Sequence, residues 1–431
     1  MESTRQRRRR RLMVVGALLA TVSATATVLV RHGGNDEGQE AAASEVTPWE
    51  RSWRANEGFT IQSGQLTTLW AESGLVALVG EDTVQALDPA TGEPSWTLET
   101  PAEVGGICAA SATVNAAGLA AVAYRDAEHN GVCVELAIVD TADGQLVWRQ
   151  RLVDTSDIEP ADESANLANS WMDITLADDW VGVRVSPEYT TPVPYAYHRL
   201  DLASGAQLPT PWPPDDCRGH SWAISVERSA ISYNCGETDD EQRNENNVLT
   251  VFDSATGEEL WTRPVRELGG VTEEVLADEP LTLLIGGEAT TFDSSGEVRQ
   301  RVSVQGHFIH PRLVGDTALE SAFGEDGRSG FAGHDLETGE LRWRHDYAGA
   351  PDAALDLGDG RLLVLQQRGE LTVLDLTEGT ETSVGQLPSD YDHMVGYALT
   401  DTTLYLAVKV QALESTVAID AYPLPSAVAP D

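Results

Sequence analysis

A short motif that recurs along the chain constrains its fold more than any other feature of the sequence. In each clean copy an aspartate closes an apolar run, a glycine follows four residues later, and a tryptophan follows four residues after the glycine. Repeats spaced by 40 to 50 residues are typical of β-propellers and solenoids. The clean copies are Asp88, Gly92 and Trp96; Asp140, Gly144 and Trp148; Asp253, Gly257 and Trp261; and Asp335, Gly339 and Trp343.

Degenerate copies fill the gaps between the clean ones. Three of them keep the turn glycine and lack a tryptophan at its expected place, and the last keeps only the apolar run and the aspartate. Their aspartates are Asp201, Asp293, Asp375 and Asp420. The motif therefore occurs eight times, with neighbouring aspartates 40 to 61 residues apart.

Each part of the motif has a physical role in a β-hairpin. An aspartate at the end of a strand accepts backbone N–H groups of the following turn, and glycine adopts the positive φ that a tight turn requires. Tryptophan is large and flat enough to fill the space between adjacent sheets. The segments between copies are short, β-prone and bounded by turn residues, so we expect strands. They include Leu75–Val79, Leu119–Tyr124, Val181–Val185, Leu281–Ile285 and Leu362–Leu365.

The sequence therefore predicts an all-β protein with one eight-bladed β-propeller over Trp49–Pro425. These 377 residues give about 47 per blade for eight blades and about 54 for seven, which is the alternative. Radial stacking of small sheets buries both faces of each sheet. The last copy ends at Pro425 without an outer strand, and we expect Trp49–Trp53 to supply it and close the ring. In the alternative, Trp49 and Trp53 lie at the membrane surface.

The repeat resembles that of the pyrroloquinoline-quinone-like β-propellers. The segment Ala86–Trp96 matches the family pattern Ala-x-Asp-x-x-Thr-Gly-x-x-x-Trp, and the copies at Asp253 and Asp335 keep its threonine as well. The family includes quinone-dependent dehydrogenases and non-enzymatic scaffolds, so the resemblance implies the fold more firmly than the activity.

The cysteines separate this chain from the dehydrogenases of that family. Those enzymes carry a disulfide between adjacent cysteines beside the quinone, and no two cysteines of this chain are adjacent. A Cys-x-x-Cys-His haem site is also missing. We therefore expect a non-dehydrogenase member, for which pyrroloquinoline quinone is a cofactor suggested by the resemblance alone.

The N-terminal part of the sequence predicts a membrane anchor. Residues 1–11 contain six arginines and should stay cytoplasmic. Leu12–Val30 has 19 uncharged residues, close to the roughly 20 that span a bilayer as a helix. The alternative is a cleaved signal peptide and a secreted protein. Residues 31–48 form a predicted flexible linker, and residues 426–431 a C-terminal tail. Both alternatives place the propeller outside the cytoplasm.

The net charge of −41 excludes nucleic acid as a partner, because so acidic a surface repels phosphate groups. We expect the negative charge to serve solubility. The alternatives are that it captures cations or steers a basic partner toward the protein. Two acidic inserts between strands, Asp154–Asn169 and Gly236–Asn247, are the candidate recognition loops. In the alternative they are merely solvated surface.

Four cysteines predict two disulfides in an oxidising compartment. Three pairings are open, and we favour Cys108 with Cys133 and Cys217 with Cys235, because each pair falls within one repeat. A zinc site is the alternative, although no Cys-x-x-Cys pair is present.

No catalytic or metal-binding residue can be assigned from the sequence. His307 and His310 form the only close histidine pair, and residues three apart on a strand face opposite sides. We expect a monomeric, membrane-tethered scaffold that binds a protein or cell-wall partner. The alternatives are a quinone-dependent or hydrolytic enzyme and a sensor that binds a ligand in the central channel.

Overall fold

A computed structural model gives the structure of most of the chain, and Val46–Asp431 form one compact unit. The predicted membrane segment Leu12–Val30 lies outside the described residues. The residues described are 48–60, 68–72, 74–128, 132–155, 170–187, 196–210, 213, 217–235, 247–265, 272–304, 312–323, 329–347, 349–358, 360–366, 368–388, 394–411, 414–426 and 428.

Thirty-one strands form eight antiparallel sheets, which we number as blades 1 to 8. The chain enters through β1 (Trp53–Thr60) and then builds one blade after another. Blade 1 contains β2 (Thr68–Glu72), β3 (Leu75–Val79), β4 (Thr83–Leu87) and β5 (Pro94–Glu99). Blade 2 contains β6 (Val104–Ala110), β7 (Leu119–Asp126), β8 (Cys133–Asp140) and β9 (Gln145–Arg151). Blade 3 contains β10 (Ser170–Leu176), β11 (Trp180–Pro187) and β12 (Ala196–Asp201).

The remaining blades follow the same order along the chain. Blade 4 contains β13 (Cys217–Ile224), β14 (Arg228–Cys235), β15 (Asn247–Asp253) and β16 (Glu259–Pro264). Blade 5 contains β17 (Thr272–Asp278), β18 (Leu281–Ile285), β19 (Glu288–Phe292) and β20 (Val298–Ser303). Blade 6 contains β21 (Arg312–Val314), β22 (Thr317–Phe323), β23 (Ser329–Asp335) and β24 (Leu341–Tyr347). Blade 7 contains β25 (Ala353–Gly358), β26 (Arg361–Leu365), β27 (Glu370–Asp375) and β28 (Glu381–Gln386). Blade 8 contains β29 (Met394–Leu399), β30 (Thr403–Gln411), β31 (Glu414–Pro423) and β1.

The predicted all-β, eight-bladed propeller is confirmed. The first strands of successive blades contact one another, β2 with β29 and β6 with β10, so the first strand of each blade lies nearest the axis. Among the described residues there is no helix, and therefore no helix long and apolar enough to cross a membrane.

Eight apolar clusters hold the blades together, one for each pair of neighbours. Blades 1 and 2 share Trp70 and Val122, for example, and blades 8 and 1 share Ile419 and Leu78. Burial of a Val, Leu or Ile side chain contributes about 1.5–3 kcal/mol. Because every blade contributes to two clusters, the core forms a closed ring around the axis.

The ring is closed by pairing of the two ends of the propeller. Strand β1 pairs antiparallel with β31, and Trp53 lies opposite Ala421. The segment before β1 reaches blade 7, where the backbone N–H of Trp49 donates to the carbonyl of Gln386 at 2.8 Å. A closing strand is therefore present, but it runs from Trp53 to Thr60, so only Trp53 of the expected segment Trp49–Trp53 lies in it.

A buried carboxylate fixes this closing strand. Asp420, the aspartate of the last degenerate repeat, is fully buried between β31 and β1. The guanidinium of Arg54 donates to both of its oxygens, at 2.5 and 2.6 Å, and Arg51 donates at 3.2 Å. The hydroxyl of Tyr422 donates to the same carboxylate at 3.1 Å. Two arginines of the N-terminal segment thus neutralise one acid of the C-terminal strand.

Blade 3 differs from the other seven blades, because its described residues form three strands and not four. Beyond Asp201 the chain pairs with β12 only briefly, where the backbone N–H of Leu208 donates to the carbonyl of Arg199. Prolines follow at positions 209, 211, 213 and 214. Proline has no backbone N–H for a sheet, so this sequence disfavours an outer strand.

The closing cluster makes a first prediction. Asp420→Asn should lower the free energy of unfolding by roughly 3 kcal/mol, because it leaves two guanidinium groups without their shared carboxylate. Urea denaturation followed by tryptophan fluorescence measures the change. Asp173→Asn, which breaks a half-exposed ion pair with Arg184, is the control and should cost about 1 kcal/mol or less. Equal losses of unfolding free energy in the two variants would contradict the role of Asp420 in fixing the closing strand.

Candidate functional site

The motif aspartates organise the turns between the third and fourth strands. The carboxylate of Asp88 accepts the backbone N–H groups of Ala90 and Thr91 at 2.8 and 2.9 Å. Asp253 and Asp335 make the same kind of turn. Gly92 has a φ of 74°, a left-handed conformation that residues with a Cβ rarely adopt. The turn chemistry expected from the sequence is therefore present.

Where a motif tryptophan is present, it connects its blade to the next one. The indole N–H of Trp96 in blade 1 donates to the carbonyl of Thr141 in blade 2 at 2.9 Å. Trp148 and Trp343 form the equivalent bonds at 2.6 and 2.8 Å. Trp53 does the same from β1 to the carbonyl of Pro89 at 2.9 Å. The ring lies over the turn glycine of the receiving blade, where a side chain would clash.

Arg199 replaces the missing tryptophan of blade 3. Its side chain is 2% exposed, and its guanidinium donates to the carbonyls of Pro209 and Ala255, the latter in the turn of blade 4. It also packs against Gly257, as tryptophan does against the turn glycines Gly92, Gly144, Gly205, Gly296 and Gly379. The ring of Trp180 lies 5.9 Å from the guanidinium carbon, which allows a cation–π interaction. The interblade contact is thus kept with a different side chain.

The turn hydrogen bonds stabilise the ionised aspartates. The Ser204 hydroxyl lowers the pKa of Asp201, and the Thr256 N–H lowers the pKa of Asp253. The Thr338 N–H, with help from Arg342, lowers the pKa of Asp335 to about 2. These are structural carboxylates, because their charge is already satisfied by the turn itself.

The two ends of the propeller differ in the connections that they carry. We call the end with the first-to-second and third-to-fourth strand turns the turn rim, and the opposite end the loop rim. The three longest connections are 152–169 between blades 2 and 3, 202–216 between blades 3 and 4, and 236–246 within blade 4, and the strand that follows each of them begins at the loop rim. Together they contain 12 acidic residues and one basic residue. Nearly all of both predicted inserts, and the pair His307 and His310, lie outside the described residues.

Both disulfides lie in the blades that flank these connections. Cys108 bonds to Cys133 in blade 2, and Cys217 bonds to Cys235 in blade 4, the pairs that the sequence favours. Cys235 is the last residue before the connection 236–246. All four cysteines are used, so the adjacent-cysteine disulfide of quinone dehydrogenases has no counterpart. No group of three potential metal ligands occurs within the described part of the chain.

A cavity of about 310 Å³ opens on the turn rim close to the axis. The first strands of blades 1, 6, 7 and 8 line it, together with the connection after β6. Glu72, Arg312, Asp356 and Tyr397 supply its polar and aromatic groups. Partial burial raises the pKa of Glu72 above its ordinary value. This channel mouth was not predicted from the sequence, although charged residues near the ends of successive first strands are a usable signal once the repeats are aligned.

Two larger clefts lie between the outer strands of blades 4 and 5, with volumes of about 490 and 870 Å³. Two of their arginines form ion pairs. Arg228 lies 3.6 Å from Asp253, and Arg263 lies 3.2 Å from Glu297.

Antiparallel blades, aspartate–glycine turns and interblade tryptophans define a β-propeller of pyrroloquinoline-quinone-like repeats. A family model described as outer membrane protein assembly factor BamB matches residues 15–170 and 245–419, which is more than half of the chain. The chain belongs to this family. No curated protein matches the sequence significantly.

Solved propellers share the fold at low sequence identity. BamB from Moraxella catarrhalis is 14% identical, with 87% of this chain and 100% of that chain covered and a TM-score of 0.50. The quinohemoprotein alcohol dehydrogenase ADHIIG from Pseudomonas putida HK5 is 11% identical, with 88% and 76% covered and a TM-score of 0.52. The C-terminal WD40 domain of Sif2 is 11% identical, with 88% and 99% covered and a TM-score of 0.53. Such similarity shows the fold alone.

The interblade hydrogen bond of tryptophan makes a second prediction. Trp96→Phe should lower the free energy of unfolding by about 1 kcal/mol more than Trp261→Phe, because the carbonyl of Thr141 loses its donor. Trp261 packs over Gly296 in the same way, but its indole forms no hydrogen bond with the described residues. Urea denaturation of both variants measures the difference. Equal destabilisation would show that ring packing alone connects the blades.

The lowered pKa of Asp335 makes a third prediction. Because its folded pKa of about 2 lies below the ordinary 3.8, ionised Asp335 stabilises the fold above pH about 4, and this stabilisation is lost as the pH falls toward 2. Asp335→Asn should therefore reduce the loss of melting temperature between pH 4 and pH 2. Thermal unfolding at a series of pH values tests this. Glu337→Gln in the same turn is the control and should behave as the unmodified protein does.

Proposed function

We propose that this protein is a membrane-tethered scaffold outside the cytoplasm that binds a basic protein partner at the loop rim of blades 3 and 4. The single observation that carries the proposal is the position of the three longest connections, which all reach this rim at two neighbouring blades. Loops on a rigid scaffold are the usual carriers of binding. Membership of the BamB-like family supports a protein partner.

The charge of the rim supports a basic partner. Twelve acidic residues against one basic residue create a negative field that raises the encounter rate with a positively charged surface. The propeller carries this rim on a closed ring of eight blades. Because the scaffold itself needs little ordering when the partner binds, the entropic cost of binding is small, which favours affinity.

The disulfides support the location outside the cytoplasm. Disulfides persist in oxidising compartments and are rare in the cytosol. The uncharged segment Leu12–Val30 after six arginines supports a tether with the propeller on the far side of the membrane. In this proposal the residues between the tether and Pro48 act as a spacer.

A matched pair of charge variants tests the proposed rim, which is the fourth prediction. The rim variant carries Asp157→Asn, Glu159→Gln, Asp239→Asn and Glu241→Gln. The control variant carries four exposed substitutions in turns at the opposite rim, each of the same charge change: Glu93→Gln, Glu258→Gln, Glu337→Gln and Glu378→Gln.

Each full-length form is crosslinked in intact membranes of its host, and the recovered proteins are quantified by mass spectrometry. We expect one basic partner with the unmodified protein and the control, and a loss of about tenfold or more with the rim variant, because several charge contacts are removed. Equal recovery with both variants, or no reproducible partner, would contradict the proposal.

A further inference from the structure

The channel mouth on the turn rim has the dimensions of a small-molecule site. Its volume of about 310 Å³ lies at the lower end of the range of roughly 300–1,000 Å³ for ligand pockets. Its walls come from the first strands, which are the most central strands of their blades. Such walls are held by interblade packing on both sides, so the cavity is preformed.

The cavity contains an arginine that has no carboxylate partner among the residues that the structure describes. Most described arginines of this acidic protein form ion pairs, as Arg125 does with Glu81 at 2.5 Å. Arg312 forms none with the residues that the structure describes, although Glu72 and Asp356 line the same cavity. Both signs of charge therefore line one open cavity without forming a direct ion pair.

Apart from Thr113, the rest of the lining is aromatic or aliphatic. Tyr397 is 38% exposed, which is unusual for an aromatic side chain on the innermost strand of a blade. Leu69 and Leu355 belong to the same wall. An aromatic and aliphatic wall next to charges of both signs suits a ligand with an apolar side chain and two charged groups.

From this arrangement we infer that the channel mouth binds a free amino acid as its zwitterion. The carboxylate of the ligand pairs with the guanidinium of Arg312, which presents a planar fork of donors to it. The ammonium group lies against Glu72 and Asp356, and the side chain contacts Tyr397. The site lies at the opposite end of the propeller from the proposed partner rim. An experiment can therefore contradict the amino-acid site without contradicting the partner rim, and the reverse also holds.

The charge pattern favours a zwitterion over a simple anion or cation. A lone anion would satisfy Arg312 and face two carboxylates, and a lone cation would face the unpaired guanidinium. Either ligand leaves a repulsive contact, whereas a zwitterion places opposite charges at each wall. The volume also limits the ligand to a small molecule.

The test is a binding measurement on the full-length protein in detergent. Each of the twenty protein amino acids is screened by thermal shift at about 10 mM, and the best one is measured by isothermal titration calorimetry. Its amide removes the ligand carboxylate, and its N-acetyl derivative removes the ammonium group. We expect the unmodified amino acid to bind at least tenfold more tightly than either derivative.

Three variants assign the binding to the cavity. Arg312→Gln should weaken binding of the amino acid at least tenfold and leave binding of the amide unchanged. Glu72→Gln combined with Asp356→Asn should weaken binding of the amino acid and leave binding of its N-acetyl derivative unchanged. Arg361→Gln is the control, because Arg361 lies at the same rim and does not line the cavity.

Each outcome decides the proposal. Unchanged melting curves of the free variants show that losses of affinity do not come from unfolding, and the derivative comparison on the unmodified protein needs no variant at all. The inference is overturned if none of the twenty amino acids binds, if both derivatives bind as well as the amino acid, or if Arg312→Gln retains full affinity.

Discussion

The structure depends on the face-to-face packing of successive blades, because no single blade can bury both of its surfaces. The clean motifs at Asp88 and Asp140 contribute to two interfaces at once: the glycine receives the tryptophan of the preceding blade, and the tryptophan of the same motif packs over the next turn. In blade 3, where tryptophan is missing, Arg199 provides the same connection through backbone carbonyls. At these interfaces a large side chain reaches the neighbouring turn and fills the space above its glycine, and in most of them it also donates a hydrogen bond.

Much of this architecture can be predicted from the sequence, because it follows from local chemistry repeated eight times. The segments Leu75–Val79 and Leu281–Ile285 were expected as strands and are β3 and β18 with the same bounds. The aspartate–glycine turn and the closing strand could likewise be inferred, since each depends on a few residues close in sequence or on the need to complete the ring.

The features that could not be predicted depend on residues distant in sequence. Arg54 and Asp420 are 366 residues apart and meet only when the ring is closed. The channel mouth combines residues of five blades, so no local pattern marks it. The short pairing in blade 3 was missed for another reason: the turn at Asp201 suggested a hairpin, and the prolines after it remove the backbone donors that a fourth strand needs.

The shared construction of blade 8 has a consequence for biosynthesis. Because β1 is made first and its partner β31 is made last, the opening strand must remain unpaired while nearly the whole chain emerges. A nascent chain that stops short of Pro423 has an exposed strand edge at each end, which is the condition that invites intermolecular pairing. Completion of the polypeptide and closure of the circle are thus the same event, and a truncated product should be prone to aggregation and accessible to proteases.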